Sequence, residues 1–591
     1  MGKRRIVSMA DYGVVPDCLE DCSSAFNEFS REDVAKCATI YRFVKGTYRF
    51  YASKCKKIQY YSYNSQQYID KKPVMSVEGK KNLIIDGDGS KLVFYGHCTP
   101  FYLEGCENVT LKNFIIDWEQ PMAAEGKVVS RCADYIDVEI DTNNFPCYVK
   151  DYCLYFNVGD GESYPLTYGL HTVYDPSSLT VAPDSADHIM VSSAERITEN
   201  VFRIYLSGLL SPNMPPKVGD LISLRHNQGV HPAIHAINCV NLELENITIH
   251  SSSCESVAMR YCDGAKISGI SCVPNKKAGR RISAGRNCGI AMSDCSGEIL
   301  VEECDFHGLQ ETSISLHSSC CTILKAEDGV ITVKPQLFRP IYKTPYIRRN
   351  DRVTVIERST LKAVFSFISS RDSEYTDDGI SVFTDEELPL SLISYCPEDF
   401  VIENADRNAS LTVRNCHIGS CRSRGVLVTT PKRLLIENNV FESAGAAILM
   451  GGDAIYWYGL GASRDVTIRG NLFTDVCTLA RYHNSPAMIT INPEIPKPVK
   501  GEWYHKNITI TENTFVTPDT PILYAYSVNG LTFEGNRIIK SVRDGINRDI
   551  KQLVYAKNSN DVRVHSNTFI GKFGLEKSKF EGCTAVDTKG K

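Results

Sequence analysis

Residues 410–418 read SLTVRNCHI, 434–441 LLIENNVF, 466–473 VTIRGNLF, 508–515 ITITENTF, 531–538 LTFEGNRI and 562–569 VRVHSNTF. Each is a run of alternating apolar and polar residues that leads into Asn and then into another apolar side chain. The asparagines Asn415, Asn439, Asn471, Asn513, Asn536 and Asn567 are 24, 32, 42, 23 and 31 residues apart. A base period near 23 with variable excess describes one coil of chain plus loops that bulge at a corner. Apolar alternation with a period of two is strand chemistry, not helix chemistry. Asn suits the turn because it tolerates left-handed backbone and its amide can bond along a stack of like side chains. A single coil cannot bury its own apolar face, whereas many stacked coils make a continuous core. The expected fold is therefore all-β, a right-handed parallel β-helix.

Earlier copies of the unit are LIIDGDGSKLVF at 83–94, VTLKNFIIDW at 109–118, LELENITIH at 242–250 and AKISGISC at 265–272. Residues 11–37, DYGVVPDCLEDCSSAFNEFSREDVAKC, combine an Asp-rich loop with a helix-like segment, and YRFVKGTYRFY at 41–51 fits a first strand. This start resembles the N-terminal cap of pectin-lyase-like solenoids. Two segments break the repeat. One carries YIDVEID, YCLYFNV and FRIYLSG, and the other CTILKAEDGVITVKP and LKAVFSFIS; both read as antiparallel strands. The expected organisation is a cap and first coils at 1–120, an inserted barrel-like lobe at 121–226 and central coils at 227–319. A second inserted β lobe follows at 320–400, with C-terminal coils at 401–591. Lobes that rise from neighbouring coils would wall a pocket on an otherwise flat solenoid face, and the central coils are where a site is expected.

Composition narrows the function classes. The chain has 591 residues, 43% of them hydrophobic and 23% charged, with a net charge of −5 and both signs dispersed. The absence of a basic block argues against nucleic acid as a partner. No stretch approaches the roughly 20 apolar residues of a membrane helix. The opening MGKRRIVSMADYG has no apolar run after its basic residues, so no secretory signal is expected. With 23 cysteines, this points to a reducing cytoplasm and free thiols that pack as small hydrophobes. Cys18/Cys22, Cys254/Cys262 and Cys416/Cys421 lack a second CxxC to complete a zinc site, and adjacent Cys320 and Cys321 are poor metal geometry. No metal and no cofactor is expected. Whether the chain forms a homo-oligomer is left open.

Three runs carry a more specific likeness. They are IDGDGSKLVFYGHCTPFYLEGCENVTLKNFIIDWEQP at 85–121, RSRGVLVTTPKRLLIENNVFESAGAAILMGGDAIYWYGLGASRDVTIRGNLF at 422–473, and ITINPEIP at 489–496. In order and spacing, lobes included, the chain resembles the inverting α-galactosidases of glycoside hydrolase family 110. The resemblance implies an exo-acting enzyme that removes terminal α-linked galactose with inversion. Inversion requires one carboxylic acid to protonate the leaving oxygen and one carboxylate to activate water, roughly 6.5–9.5 Å apart.

The likeness fails at positions where the family keeps carboxylates. In SAGRNCGIAMSDCSGEI at 283–299, Cys288 stands at an Asp and Ala291 at a His. In LQETSISLHS at 309–318, Glu311 and Thr312 replace paired aspartates, Ser315 replaces an Asn and His317 is kept, while Gly459 stands at an often acidic position. A Cys288 thiol, with an ordinary pKa near 8.5, is a poor proton donor to a glycosidic oxygen and reads as packing.

Glu311 is the carboxylate left at the expected pair, and Asp117, Glu119 or Asp453 would supply the second. Asp117 and Glu119 flank a turn, and Asp117 also suits a structural Asx bond. Trp118 and Trp457 could cover the apolar face of a sugar, although core packing is the commoner role for a Trp placed like Trp118. His317 and Glu311 share a strand face if no bulge intervenes. Asp453 could bind hydroxyls or cap a turn. His235, Arg260 and Arg286 complete the candidate binding set, the arginines through an acidic sugar or as solvated charges. The reading that follows is a divergent glycoside hydrolase acting on an oligosaccharide or glycoside. Two rivals remain: a carbohydrate-binding relative that has lost catalysis, and a lyase or epimerase acting on acidic sugars.

Overall fold

The computed structural model describes residues 5–589, apart from 19, 24–38, 60–69, 170, 186–188, 227–228, 286, 328, 336–343, 390–395, 475, 477–484 and 543–548. The helix-like part of the cap falls largely on 24–38, outside the described residues. Elsewhere strands dominate, joined by turns and short 3-10 segments.

The solenoid is a right-handed parallel β-helix. One parallel ladder runs from Arg5–Ser8 through Thr39–Arg42, Lys81–Tyr95, Glu107–Trp118, Val240–Ile249, Asp263–Ser268 and Ser296–Glu302. It continues through Ser410–Arg414, Arg433–Glu437 and Asp465–Arg469 to Thr584–Asp587. A further parallel face stacks Pro73–Glu78, Thr99–Glu104, Ile234–Ile237, Val257–Arg260, Ile290–Ser293 and the start of Ile314–Glu327. Alternate residues of every strand enter one continuous core, which includes Leu83, Leu111, Leu244, Ile267, Val301, Val413, Ile436 and Ile468.

The turn asparagines form the expected ladder. Asn439, Asn471, Asn513 and Asn536 each donate from Nδ2 to the Oδ1 of the next asparagine at 2.9–3.1 Å, ending on Asn567. Asn439, Asn471, Asn513 and Asn536 are almost wholly buried, so each amide replaces the water that a buried turn would otherwise need. Asn415 is a correction. It occupies the left-handed position ahead of the ladder (φ 54°), as Asn438 does (φ 57°), and Cys416 holds the ladder site. The Cys416 backbone N–H donates to Asn439 Oδ1 at 2.9 Å.

Two lobes interrupt the coils. The first is a six-stranded antiparallel sheet built from Ala123–Arg131, Tyr135–Ile140, Thr172–Tyr174, Val191–Arg196, Val201–Leu206 and Leu221–Arg225, with its own core around Val138, Phe202 and Leu224. The second has a core around Ile323, Val333, Val353 and Ile402. It grows directly from the solenoid, because Ile314–Glu327 begins in the parallel face and then pairs antiparallel with Val330–Pro335 and Phe400–Asn404.

Candidate active site

The parallel face between the lobes is polar on its outer side. The row Tyr102, His235, Ala258, Ala291, Ser315 runs across five coils in register, and all five are buried although they point away from the core. The side chains shrink along the row from Tyr and His to Ala and Ser. Just ahead of these strands the chain bends, and the bends stack too. Ser256 N donates to Cys288 O and Gly289 N to Thr312 O, at 2.9 and 3.1 Å. Extending that register puts Glu255 on one coil, Cys288 beside it on the next and Glu311 one residue offset on the third.

Glu311 is held by arginines. Arg422 donates to its Oε1 at 2.5 Å, and Arg225 stands 3.7 Å away. Burial pushes the Glu311 carboxyl up, but Arg422, Arg225 and Arg424 outweigh it and hold it below the ordinary carboxylate range. Arg225 and Arg422 also donate to the Gln310 carbonyl at 2.6 and 2.8 Å. The Gln310 side chain accepts from Thr172 and donates to Tyr174, both on the first lobe. The lobe therefore fixes the turn that carries Glu311.

Glu255 was not singled out from the sequence. It is 3% exposed, accepts from the Cys254 thiol at 2.6 Å and lies 3.4 Å from Asn287 Nδ2. Buried Lys71 stands close enough that burial, opposed by Cys254 and Glu255, leaves its ammonium pushed down to about 8. Cys288 lies between the carboxylates: burial, then Glu255 and Glu311, push its thiol well up, so it stays neutral. The available signal was positional, since Glu255 precedes the strand VAMR by the same two residues as Cys288 precedes IAMS.

Other expected site residues go elsewhere. Asp117 is an anchor: Arg280 donates to Oδ1 at 2.5 Å and Asn275 to Oδ2 at 2.7 Å. Trp118 is wholly buried, packs against Phe94 and donates to the Gly96 carbonyl, so its ring is unavailable for stacking on a sugar. Glu119 is exposed. Asp453 caps a turn by accepting from the backbone N–H groups of Ile455, Tyr456 and Trp457, and Trp457 is 71% exposed. Asp117, Trp118 and Asp453 have one thing in common: each side chain has a local or long-range partner that the sequence does not display.

His235 and Arg260 do face the walled side. Burial pushes His235 down to about 3, so it is neutral and able both to donate and to accept. Arg260 lies 3.5 Å from Asp294 and stacks over Tyr261. His317, one coil past Ser293 in the same row as Arg260, borders the second lobe. The bend before Ile314 breaks its strand alternation with Glu311. Arg286 is outside the described residues. A separate cavity of about 160 Å³ lies between the second lobe and the later coils, lined by Leu361, Arg464, Trp503 and Tyr504; it shares no residue with the Glu255–Glu311 cluster.

A solenoid face that carries Glu255, Glu311, Arg225, Arg422 and a neutral His235 marks a β-helix protein with a charged, polar site. Residues 124–222 match the family model GLAA-B beta-barrel domain I, which coincides with the first lobe. The chain is 32% identical to Alpha-1,3-galactosidase B of Bacteroides thetaiotaomicron over 91% of its length and 86% of that protein. It is 24% identical to Alpha-1,3-galactosidase A of Bacteroides fragilis over 99% of the chain and 95% of the relative. Among solved structures, the family 28 exopolygalacturonase of Yersinia enterocolitica is similar, with 12% identity, 99% and 78% coverage and a TM-score of 0.42. The chain belongs to the α-1,3-galactosidase family, glycoside hydrolase family 110.

Proposed function

We propose that this protein is an exo-acting hydrolase of terminal α-linked galactosides, with Glu255 and Glu311 as its two carboxyl groups. The observation that carries the reading is that both carboxylates lie near enough to Cys288, on the bends of neighbouring coils, to hold its thiol neutral. Two coil steps along the stack separate them by roughly 10 Å at the backbone, and flexible glutamate side chains bring that near the roughly 6.5–9.5 Å of an inverting pair. Glu311, kept ionised by its arginines, suits the base that activates water. Glu255, buried on the other side of Cys288, is then the proton donor. His235 and Arg260 suit contacts to sugar hydroxyls. The buried free thiols support a reducing compartment, where the substrate would be an imported oligosaccharide.

The test is turnover of an aryl α-galactoside followed by proton NMR, beside Glu311→Gln and Glu255→Gln. Release of β-galactose first, with each variant about 10²–10⁴-fold slower, is expected. A second reading, sugar binding without turnover, is favoured by the close Arg422–Glu311 pair, which could lock the base. Calorimetric binding of galactose with no turnover would select it, and the hydrolase reading would be abandoned.

A further inference from the structure

On another face of the solenoid, three side chains converge that neither the family likeness nor the proposed reaction uses. Asp305 and His417 are paired in register on adjacent coils, in the two-residue strands Asp305–Phe306 and His417–Ile418. Phe306 and Ile418 enter the core, so Asp305, His307, His417 and Gly419 all point outward. His307 Nε2 lies 3.1 Å from Asp305 Oδ1, His417 Nδ1 lies 3.3 Å from the same oxygen, and the two ring nitrogens are 3.2 Å apart. An ion about 2.0–2.1 Å from each of three ligands in tetrahedral arrangement spaces them about 3.3 Å apart. The triangle here has that edge length on all sides.

Two further features fit a ligand and not only an ion pair. Asp305 Oδ1 is buried and accepts no aligned hydrogen bond, despite two nitrogens at short range. His307 Nε2 and His417 Nδ1 share a hydrogen bond across the triangle, and an ion entering it would displace that proton. His417 turns its other nitrogen, Nε2, to Glu442 on the following coil at 3.3 Å. A carboxylate behind a ligating imidazole fixes its tautomer and raises its basicity, as metal sites require. Space is arranged as well: a Cβ on Gly419 would fall 2.1 Å from the His307 ring, so only glycine lets that ring lie over the neighbouring coil.

We propose that Asp305, His307 and His417 bind a divalent transition metal of the zinc class through one carboxylate oxygen and two imidazole nitrogens. No metal was expected because no cysteine pair and no His/Asp cluster has ligand spacing in the sequence, and this set draws its third ligand from 110 residues away. The site's place suggests its use. His307 is followed by Glu311 and His417 by Arg422, and their turns already touch through Gly308 N to Ser420 O at 2.8 Å and Arg422 N to Leu309 O at 3.0 Å. An ion tying His307 to His417 would clamp the two turns that present Glu311 and Arg422 to each other. Metal binding itself is independent of the α-galactosidase reading, because its readout needs no substrate.

The experiment uses the full chain, stripped with chelator and titrated with Zn²⁺ and with Co²⁺ as an optical probe, beside His307→Ala and Gly419→Ala. The wild type should take up about one more equivalent of zinc than either variant, and zinc should slow hydrogen exchange in 305–311 and 417–422. Bound Co²⁺ should show tetrahedral d–d absorption without an intense thiolate charge-transfer band, which separates this site from the many cysteines. Equal uptake by wild type and His307→Ala, a spectrum dominated by thiolate, or no uptake would each overturn the proposal. If the variants fold poorly, the cobalt spectrum and exchange pattern of the wild type decide alone.

Discussion

Glu311 shows how neighbouring arginines can set the working range of a carboxylate. Its folded pKa lies below the ordinary value because the pull of Arg422, Arg225 and Arg424 exceeds the cost of burial. A base of this kind works above its pKa, so the acid limb of turnover should lie below the ordinary glutamate range. In Arg422→Met the opposing charge is lost, and the limb should move to higher pH in a kcat/KM profile. The same sign governs stability: the pair's contribution is full above the unfolded glutamate pKa and fades as pH falls through the folded value. Cys288→Asp tests the middle position. A third carboxylate between Glu255 and Glu311 would have a raised folded pKa, so its penalty grows as pH rises through the carboxylate range. A loss of about 1–3 kcal/mol at neutral pH, shrinking toward pH 4, is expected from urea unfolding at several pH values. Of these residues Glu311 stands out in the sequence through the family motif. Glu255 does not, because SSSCESVAMR carries no motif and its meaning depends on which coil lies alongside.

At the level of single coils, the ladder is the device to test. Asn471 is 1% exposed, donates to Asn513 and accepts from Asn439. Asn471→Ala strands buried polar groups on both sides, for a cost of about 1–3 kcal/mol, readable as a lower denaturant midpoint. This ladder could be read from sequence because it repeats one residue type at one place in each copy. A second stack could not. Cys106, Cys239, Cys262 and Cys295 occupy matching turns on successive coils, and each thiol donates to the carbonyl two residues before it or to the preceding coil. Cysteine reads as a generic small hydrophobe, so periodicity alone did not separate these four from the rest. Asp117 and Trp118 read both ways in the sequence: a carboxylate and an indole at a turn suit a sugar site or a structural role until Arg280 and the core are seen to claim them.

Across the whole molecule, the lobes matter through their seams with the solenoid. Gln310 is the keystone of the first seam, since it joins Thr172 and Tyr174 of the lobe to Arg225 and Arg422. Gln310→Leu leaves two buried hydroxyls without their partner, at about 1–3 kcal/mol each. Hydrogen exchange should quicken at 172–174 and 420–422 while the Asn-ladder coils stay protected; unchanged exchange at the seam would show that the lobe is held by other contacts. The solenoid and both insertions were readable because interruption of a repeat is itself a signal, whereas the seams were not, being contacts between residues about 85–140 apart in the chain. The second lobe has a different kind of seam. The 14 residues Ile314–Glu327 form one strand that belongs to the solenoid at one end and to the lobe at the other. Gaining or losing a single residue there would turn every later side chain inside out, and a change of two would carry the lobe about 7 Å along. Descendants of this protein can therefore vary this stretch in spelling but hardly in length, and their insertions and deletions should collect in the loops on either side of it.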